Sequence, residues 1–175
     1  MDKKLEKKIV LSGPYEDVLS INDHFYISDK FYKICVLPYT ISSSGILEKV
    51  GVIKHINILS GEQSYSLIND YINNDDKTNL VAANRILFEI IGKNIKNAED
   101  WMYLGTLNNI SNMSKLIIYC VNISNIEIED KENVEESEKA RKFEMINSNK
   151  VVSSDDALFL ATYLRLFNYF YINSI

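Results

Sequence analysis

The sequence predicts an α+β domain, and three observations carry the prediction. Strand-like texture fills residues 8–58, a 3.6-residue apolar period replaces it over Leu80–Ile91, and a second apolar helix pattern closes the chain after Asp156. The chain has 175 residues, 46% of them hydrophobic, which is enough to bury one sizeable core. No internal repeat or composition break divides it, so one domain over residues 1–175 is expected. The start MDKKLEKK, residues 1–8, reads as a flexible basic tail.

The elements follow in order. Ile9-Val10-Leu11 ends at the turn signal Ser12-Gly13-Pro14. Asp17–Ser28 alternates loosely around Phe25 and Tyr26. Phe31–Ile41 is rich in aromatic and β-branched residues, and after the turn Ser42-Ser43-Ser44-Gly45 the run Ile46–Leu59 is its hairpin partner. Pro38 predicts an edge, a bulge or an early end for the first of these strands. Tyr65–Ile72 reads as a short helix, with the polar break Asn73–Lys77 behind it. Within Leu80–Ile91 the apolar positions Ala83, Ile86, Leu87, Ile90 and Ile91 share a helical face, and Gly92 ends the helix. Trp101–Leu107 and Lys115–Ile123 are strands joined by an Asn/Ser-rich loop. The acidic stretch Asn125–Lys142 precedes a short strand at Lys142–Ile146. Ser153-Ser154-Asp155-Asp156 supplies an N-cap and first-turn acid for a helix over about 154–171.

Bulk properties exclude several functions. Nineteen basic against 24 acidic side chains give a net charge of −5, the wrong balance for general nucleic-acid or anionic-membrane binding. No stretch reaches the ~18 apolar residues of a membrane-crossing helix, and no apolar leader follows the basic start. Cys35 and Cys120 lie in apolar runs and read as core residues, not as a disulfide framework. A reducing, cytoplasmic setting is therefore expected. The richness in Ile, Asn and Lys matches A/T-rich codons, as in some bacteria, parasites and phages, and a phage origin would place the chain in a virion. His24 and His55 lack companions at metal-ligand spacing, and no G-x-S-x-G, Walker loop or G-x-G-x-x-G occurs.

The run Ala82-Ala83-Asn84-Arg85-Ile86-Leu87-Phe88-Glu89-Ile90-Ile91-Gly92 resembles the Nudix-family helix written A-A-x-R-E-L-x-E-E-x-G. Trp101-Met102-Tyr103-Leu104-Gly105-Thr106-Leu107 and the closing Ser154-Asp155-Asp156-Ala157 fall in matching order. The likeness covers roughly Phe31 to Phe170 and is nearest the branch with ADP-ribose pyrophosphatases. It implies an α/β/α sandwich with a mixed sheet, the family helix at about 80–92 and a final helix at about 154–171.

The resemblance also implies what an active site would need. Family enzymes hold Mg²⁺ ions on helix carboxylates, where the ions polarise a pyrophosphate and activate water. Positions 86, 89 and 90 share a helix face, but here they are Ile86, Glu89 and Ile90. The upstream acidic position falls on Lys77, with Asp75 and Asp76 beside it, and the opening glycine falls on Tyr71. Arg85 matches the family's helix arginine and can pair with Glu89 one turn on. The box is degenerate, so the chain reads as a non-catalytic binding or assembly module without cofactor, one home for which is a phage particle. The alternative is a Mg²⁺-dependent pyrophosphohydrolase of nucleoside diphosphate derivatives such as ADP-ribose. Glu89 and Arg85 would then be catalytic, with Glu89, Asp76 and Glu136 of the acidic loop as metal ligands. A third reading keeps a nucleotide pocket without chemistry. The final helix is apolar nearly all round, so it is either buried on two sides or covered by another chain; the expectation is a protein partner or a second copy against Phe159, Tyr163, Phe167 and Tyr171.

Overall fold

The computed structural model describes residues 7–14, 16–21, 24–29, 32–56, 61–109, 114–128, 141–154 and 156–173. Near the N-terminus, β1 (Lys7–Ser12), β2 (Glu16–Ile21) and β3 (His24–Asp29) form an antiparallel three-stranded sheet around buried Leu19. Lys7 and Lys8 pair with Ile21 and Ser20, which corrects the expected tail over 1–8 at its last two residues. The ladder bonds backbone to backbone, so it runs on past the apolar triplet whatever the side-chain charge. This sheet is tied to the rest through Glu16, whose Oε1 accepts from the Tyr71 hydroxyl at 3.0 Å and lies 3.7 Å from Lys33 Nζ.

The larger sheet contains β4 (Lys33–Ile41), β5 (Leu47–Ile56), β6 (Gln63–Ser66), β7 (Ile68–Tyr71), β8 (Trp101–Asn109), β9 (Ser114–Asn122) and β10 (Arg141–Asn147). Its main order is β10-β5-β4-β9-β8, with β6 on β5 and β7 on β4. Among the described residues the β4–β9 pairing alone is parallel, which makes the sheet mixed, as expected. The β4–β5 hairpin closes through Gly45, at φ 78°, whose amide donates to the Ser42 carbonyl at 2.9 Å.

β4 is the central strand and shows why the sheet is covered on both sides. Ile34 and Val36 face the helix α1 (Asn79–Ile91), while Cys35, Leu37 and Tyr39 face α2 (Ala157–Asn173). This is the period-two alternation of a strand buried on both faces. The sheet is thus sandwiched between α1 and α2. Pro38 does not mark an edge or an early end. It sits where β4 changes neighbour from β7, paired through Val36, to β5, paired from Tyr39. A missing N–H costs least at such a gap in the ladder. The irregularity lies two residues on, between Thr40 and Ile41.

Two further expectations change. Tyr65–Ile72 is not a helix but the strands β6 and β7, paired at Ile53↔Ser66 and Lys33↔Tyr71. Eight residues make a marginal helix on their own, and two unfilled ladder edges beside them win. The final helix begins after Asp156, whose Oδ1 accepts from the Phe159 amide at 2.9 Å, while Ser154 Oγ accepts from the Asp156 amide. Phe159 (0% exposed) and Tyr163 (7%) point into the core, which corrects their assignment as partner-facing. They lie one turn apart on the stripe, with Leu166, that covers the sheet. Phe167 (48%) and Tyr171 (60%) do lie open, stacked on each other with ring centroids 6.5 Å apart. Among the described residues no helix is long and apolar enough to cross a membrane.

Candidate functional site

α1 is built as its sequence dictates. Thr78 caps its start, accepting from the Val81 amide at 3.2 Å. Gly92 ends it in the left-handed region, at φ 70°, with its amide donating to the Phe88 carbonyl at 2.8 Å. Ala82, Ala83, Ile86, Leu87 and Ile91 are buried against the sheet. Arg85 and Glu89 are left on the flank, facing the end of β7 and the loop 72–78.

Arg85 organises this corner. Its Nε lies 3.2 and 3.3 Å from the two oxygens of Asp76, and Nη2 donates to Asp76 Oδ2 at 2.9 Å and to the Tyr71 carbonyl at 2.9 Å. Nη1 donates to Glu89 Oε1 at 3.1 Å, the one-turn pair the sequence suggests, and stands 3.7 Å from Asp70 Oδ2. Asp76 also accepts from the Asn73 amide at 2.8 Å. Its carboxylate is nearly covered (side-chain exposure 5%), whereas Asp70 and Glu89 are half exposed. The hydrogen bonds from Arg85, ahead of the opposing effect of burial, hold the Asp76 carboxyl below the usual aspartate range. The same bonds to Asp76 raise the guanidinium further above its ordinary value.

The structure brings together three of the four residues named for an active site: Arg85, Glu89 and Asp76. Glu136, like Glu135 and Glu138, lies outside the described residues. Asp70 was not anticipated, because its segment read as a helix; the β7 register, Ile34↔Asp70, is what delivers it to Arg85. Ile86 does not lie open beside Glu89. It is 2% exposed and packs with Val36, Leu87 and Ile117, and Ile90 leans partly on the same cluster. A helix residue turned to the sheet has no route to a solvent-side ion.

Mg²⁺ takes near-octahedral oxygen ligation and is held by carboxylates. Among the described residues no three of His, Cys, Asp or Glu converge as a metal-holding group. Asp76 and Glu89 are engaged by Arg85, and positions 86 and 90 offer hydrocarbon. The described residues therefore do not fit the ion that the resemblance implies.

The two cysteines are not nucleophiles. Burial pushes the Cys35 thiol up to about 12 and raises Cys120 as well, so neither is a thiolate at neutral pH. His55 Nδ1 lies 3.4 Å from the Ile53 carbonyl. On the α1 side of β8 and β9, Trp101, Tyr103 and Tyr119 form an aromatic group: the Trp101–Tyr119 centroids are 6.3 Å apart and the Tyr103–Tyr119 centroids 5.5 Å, with Tyr103 exposed. At the next corner Arg165 Nη1 donates to the carbonyls of Leu104 and Thr106, which flank Gly105 at φ 95° and fix the bulge there.

No protein-family model matches the chain, and no curated protein matches it in sequence. Solved structures do match it in shape. A crystal structure of an ADP compounds hydrolase superposes with TM-score 0.62 at 14% identity over 96% of both chains. The NUDIX domain of Shewanella oneidensis NrtR, complexed with ADP ribose, gives 0.55 at 14% identity over 81% of this chain and 86% of that one. A Listeria monocytogenes protein described as a NUDIX hydrolase gives 0.56 at 8% identity over 81% and 95%. Identities this low speak to architecture alone. Together with the order of strands and the two flanking helices, they show that this chain has the Nudix fold.

Proposed function

We propose that the protein recognises a nucleoside diphosphate derivative of the ADP-ribose class. The observation that carries this is the whole-length likeness to an ADP compounds hydrolase, joined by the likeness to a domain complexed with ADP ribose. The exposed ring of Tyr103, backed by Tyr119 and Trp101, suits the face of an adenine. Hydrolysis of the ligand's pyrophosphate is the second reading, favoured by the same first neighbour. Against it stand the engaged carboxylates around Arg85 and the hydrocarbon at Ile86 and Ile90.

The test is a panel of ADP-ribose, dinucleoside polyphosphates and NADH, with and without Mg²⁺ or Mn²⁺, read by product formation and by thermal shift. A melting point raised by ADP-ribose, with the rise reduced in Tyr103→Ala, supports recognition. Turnover that disappears in Glu89→Gln supports the hydrolase reading instead. Neither stabilisation nor turnover by any member of the panel sinks both. Assembly through α2 is a separate reading, supported by the open side chains of Leu164, Phe167 and Tyr171. Light scattering tests it: a concentration-dependent mass lowered in Phe167→Ser supports self-association.

A further inference from the structure

We infer that the α1 corner carries its own cation: Arg85 stands on the carboxylates that a divalent ion would need, and the site operates without one. The inference goes beyond the proposed ligand, and its test uses the metal alone, so the two can fail separately. A guanidinium has five N–H donors in a rigid fork. Here they go to both oxygens of Asp76, to the Tyr71 carbonyl and to Glu89 Oε1, while Nη1 also faces Asp70 Oδ2 at 3.7 Å. One permanent charge thus joins carboxylates from β7, from the loop 72–78 and from α1.

A divalent ion seated on Glu89 or Asp70 would have to detach that carboxylate from Arg85 or share it. At roughly 5 Å from the guanidinium, the repulsion costs on the order of tenfold in affinity even at the dielectric constant of water. The ion would gain no further oxygen from the helix. Ile86 is turned into the core and Ile90 is an alkyl side chain. The two half-exposed carboxylates, Asp70 and Glu89, already face the Arg85 charge, so they offer a divalent ion little net negative charge in exchange for its water.

The experiment is a Mn²⁺ titration of the full chain, without nucleotide, followed by the EPR signal of the free ion. Wild type, Glu89→Gln and Arg85→Met are compared, each first checked for a cooperative melt. Wild type and Glu89→Gln are expected to bind Mn²⁺ alike, with no α1 site filled below about 1 mM, the range of weak oxygen-ligand sites. Ions bound equally by both lie elsewhere and leave the inference standing. Folded Arg85→Met is expected to bind Mn²⁺ at least about tenfold more tightly, by the same electrostatic argument. Wild type binding one Mn²⁺ with an affinity that falls tenfold or more in Glu89→Gln would overturn the inference. So would a folded Arg85→Met that gains nothing. Glu89 is half exposed, so the wild-type comparison stands even if the arginine variant does not fold.

Discussion

Replacing Arg85 by Met removes the charge and the fork while keeping most of the aliphatic stem, and its cost can be worked out contact by contact. The pairs with half-exposed Glu89 and Asp70 are each worth a few tenths of a kcal/mol at most. The pair with Asp76 is different, because that carboxylate is nearly covered and would lose three short contacts at once. Removing one partner of a fully buried pair costs about 3–5 kcal/mol. Asp76 keeps the Asn73 amide, and Arg85 is itself partly open, so about 2–3 kcal/mol is expected here. For a chain of this length that is about 4–12 °C in Tm. Urea denaturation is a suitable assay, since Trp101, the only tryptophan, is partly buried with its indole N–H 3.3 Å from the Ile95 carbonyl. The pH dependence has a definite sign. The folded Asp76 pKa lies below the unfolded value of about 3.9, so the pair stabilises above that pH and is lost as pH falls through the folded value. The gap between wild type and variant should be level from about pH 5 to 8 and should narrow below about pH 4. A loss under about 0.5 kcal/mol at neutral pH, the size of an ordinary surface change, would refute the reasoning. A gap that stays level into acid would refute it equally.

Other expectations test the packing. Phe159→Ala should cost about 3–5 kcal/mol because the ring is wholly buried, while Phe167→Ala should stay within about 0.5 kcal/mol; equal losses would mean that α2 is rotated from its described position. Gly92→Ala should cost about 1 kcal/mol in a urea melt, since a Cβ is disfavoured at φ 70°. Cys35 and Cys120 should resist a thiol-specific reagent at pH 8 in the native state and react promptly in urea; rapid native labelling would contradict their burial and raised pKa values.

Much of the fold was legible because single elements declared it. The apolar period of Leu80–Ile91 with Gly92 behind it gave α1 within a residue of its start, and the Ser42–Gly45 turn gave the β4–β5 hairpin. What failed depended on partners distant in sequence. Nothing within Tyr65–Ile72 shows that β4 and β5 have edges waiting for it. Likewise the ring of apolar residues on α2 does not say which of them meet the sheet, so Phe159 and Tyr163 passed for surface. At the site, the Arg85–Glu89 pair was legible because it is local to one helix. The Asp76 and Asp70 contacts were not, since a loop and a strand register deliver them. The hydrocarbon at Ile86 and Ile90 was visible from the start, and the structure adds that Ile86 serves the core.

The most direct test of the central claim is calorimetric titration of ADP-ribose into the full chain, once in excess EDTA and once in Mg²⁺. The account predicts saturable binding at one ligand per chain, with the same affinity in both buffers and no heat of turnover. Binding or turnover that requires Mg²⁺ and is lost in Glu89→Gln would contradict it, as would the absence of binding in both buffers.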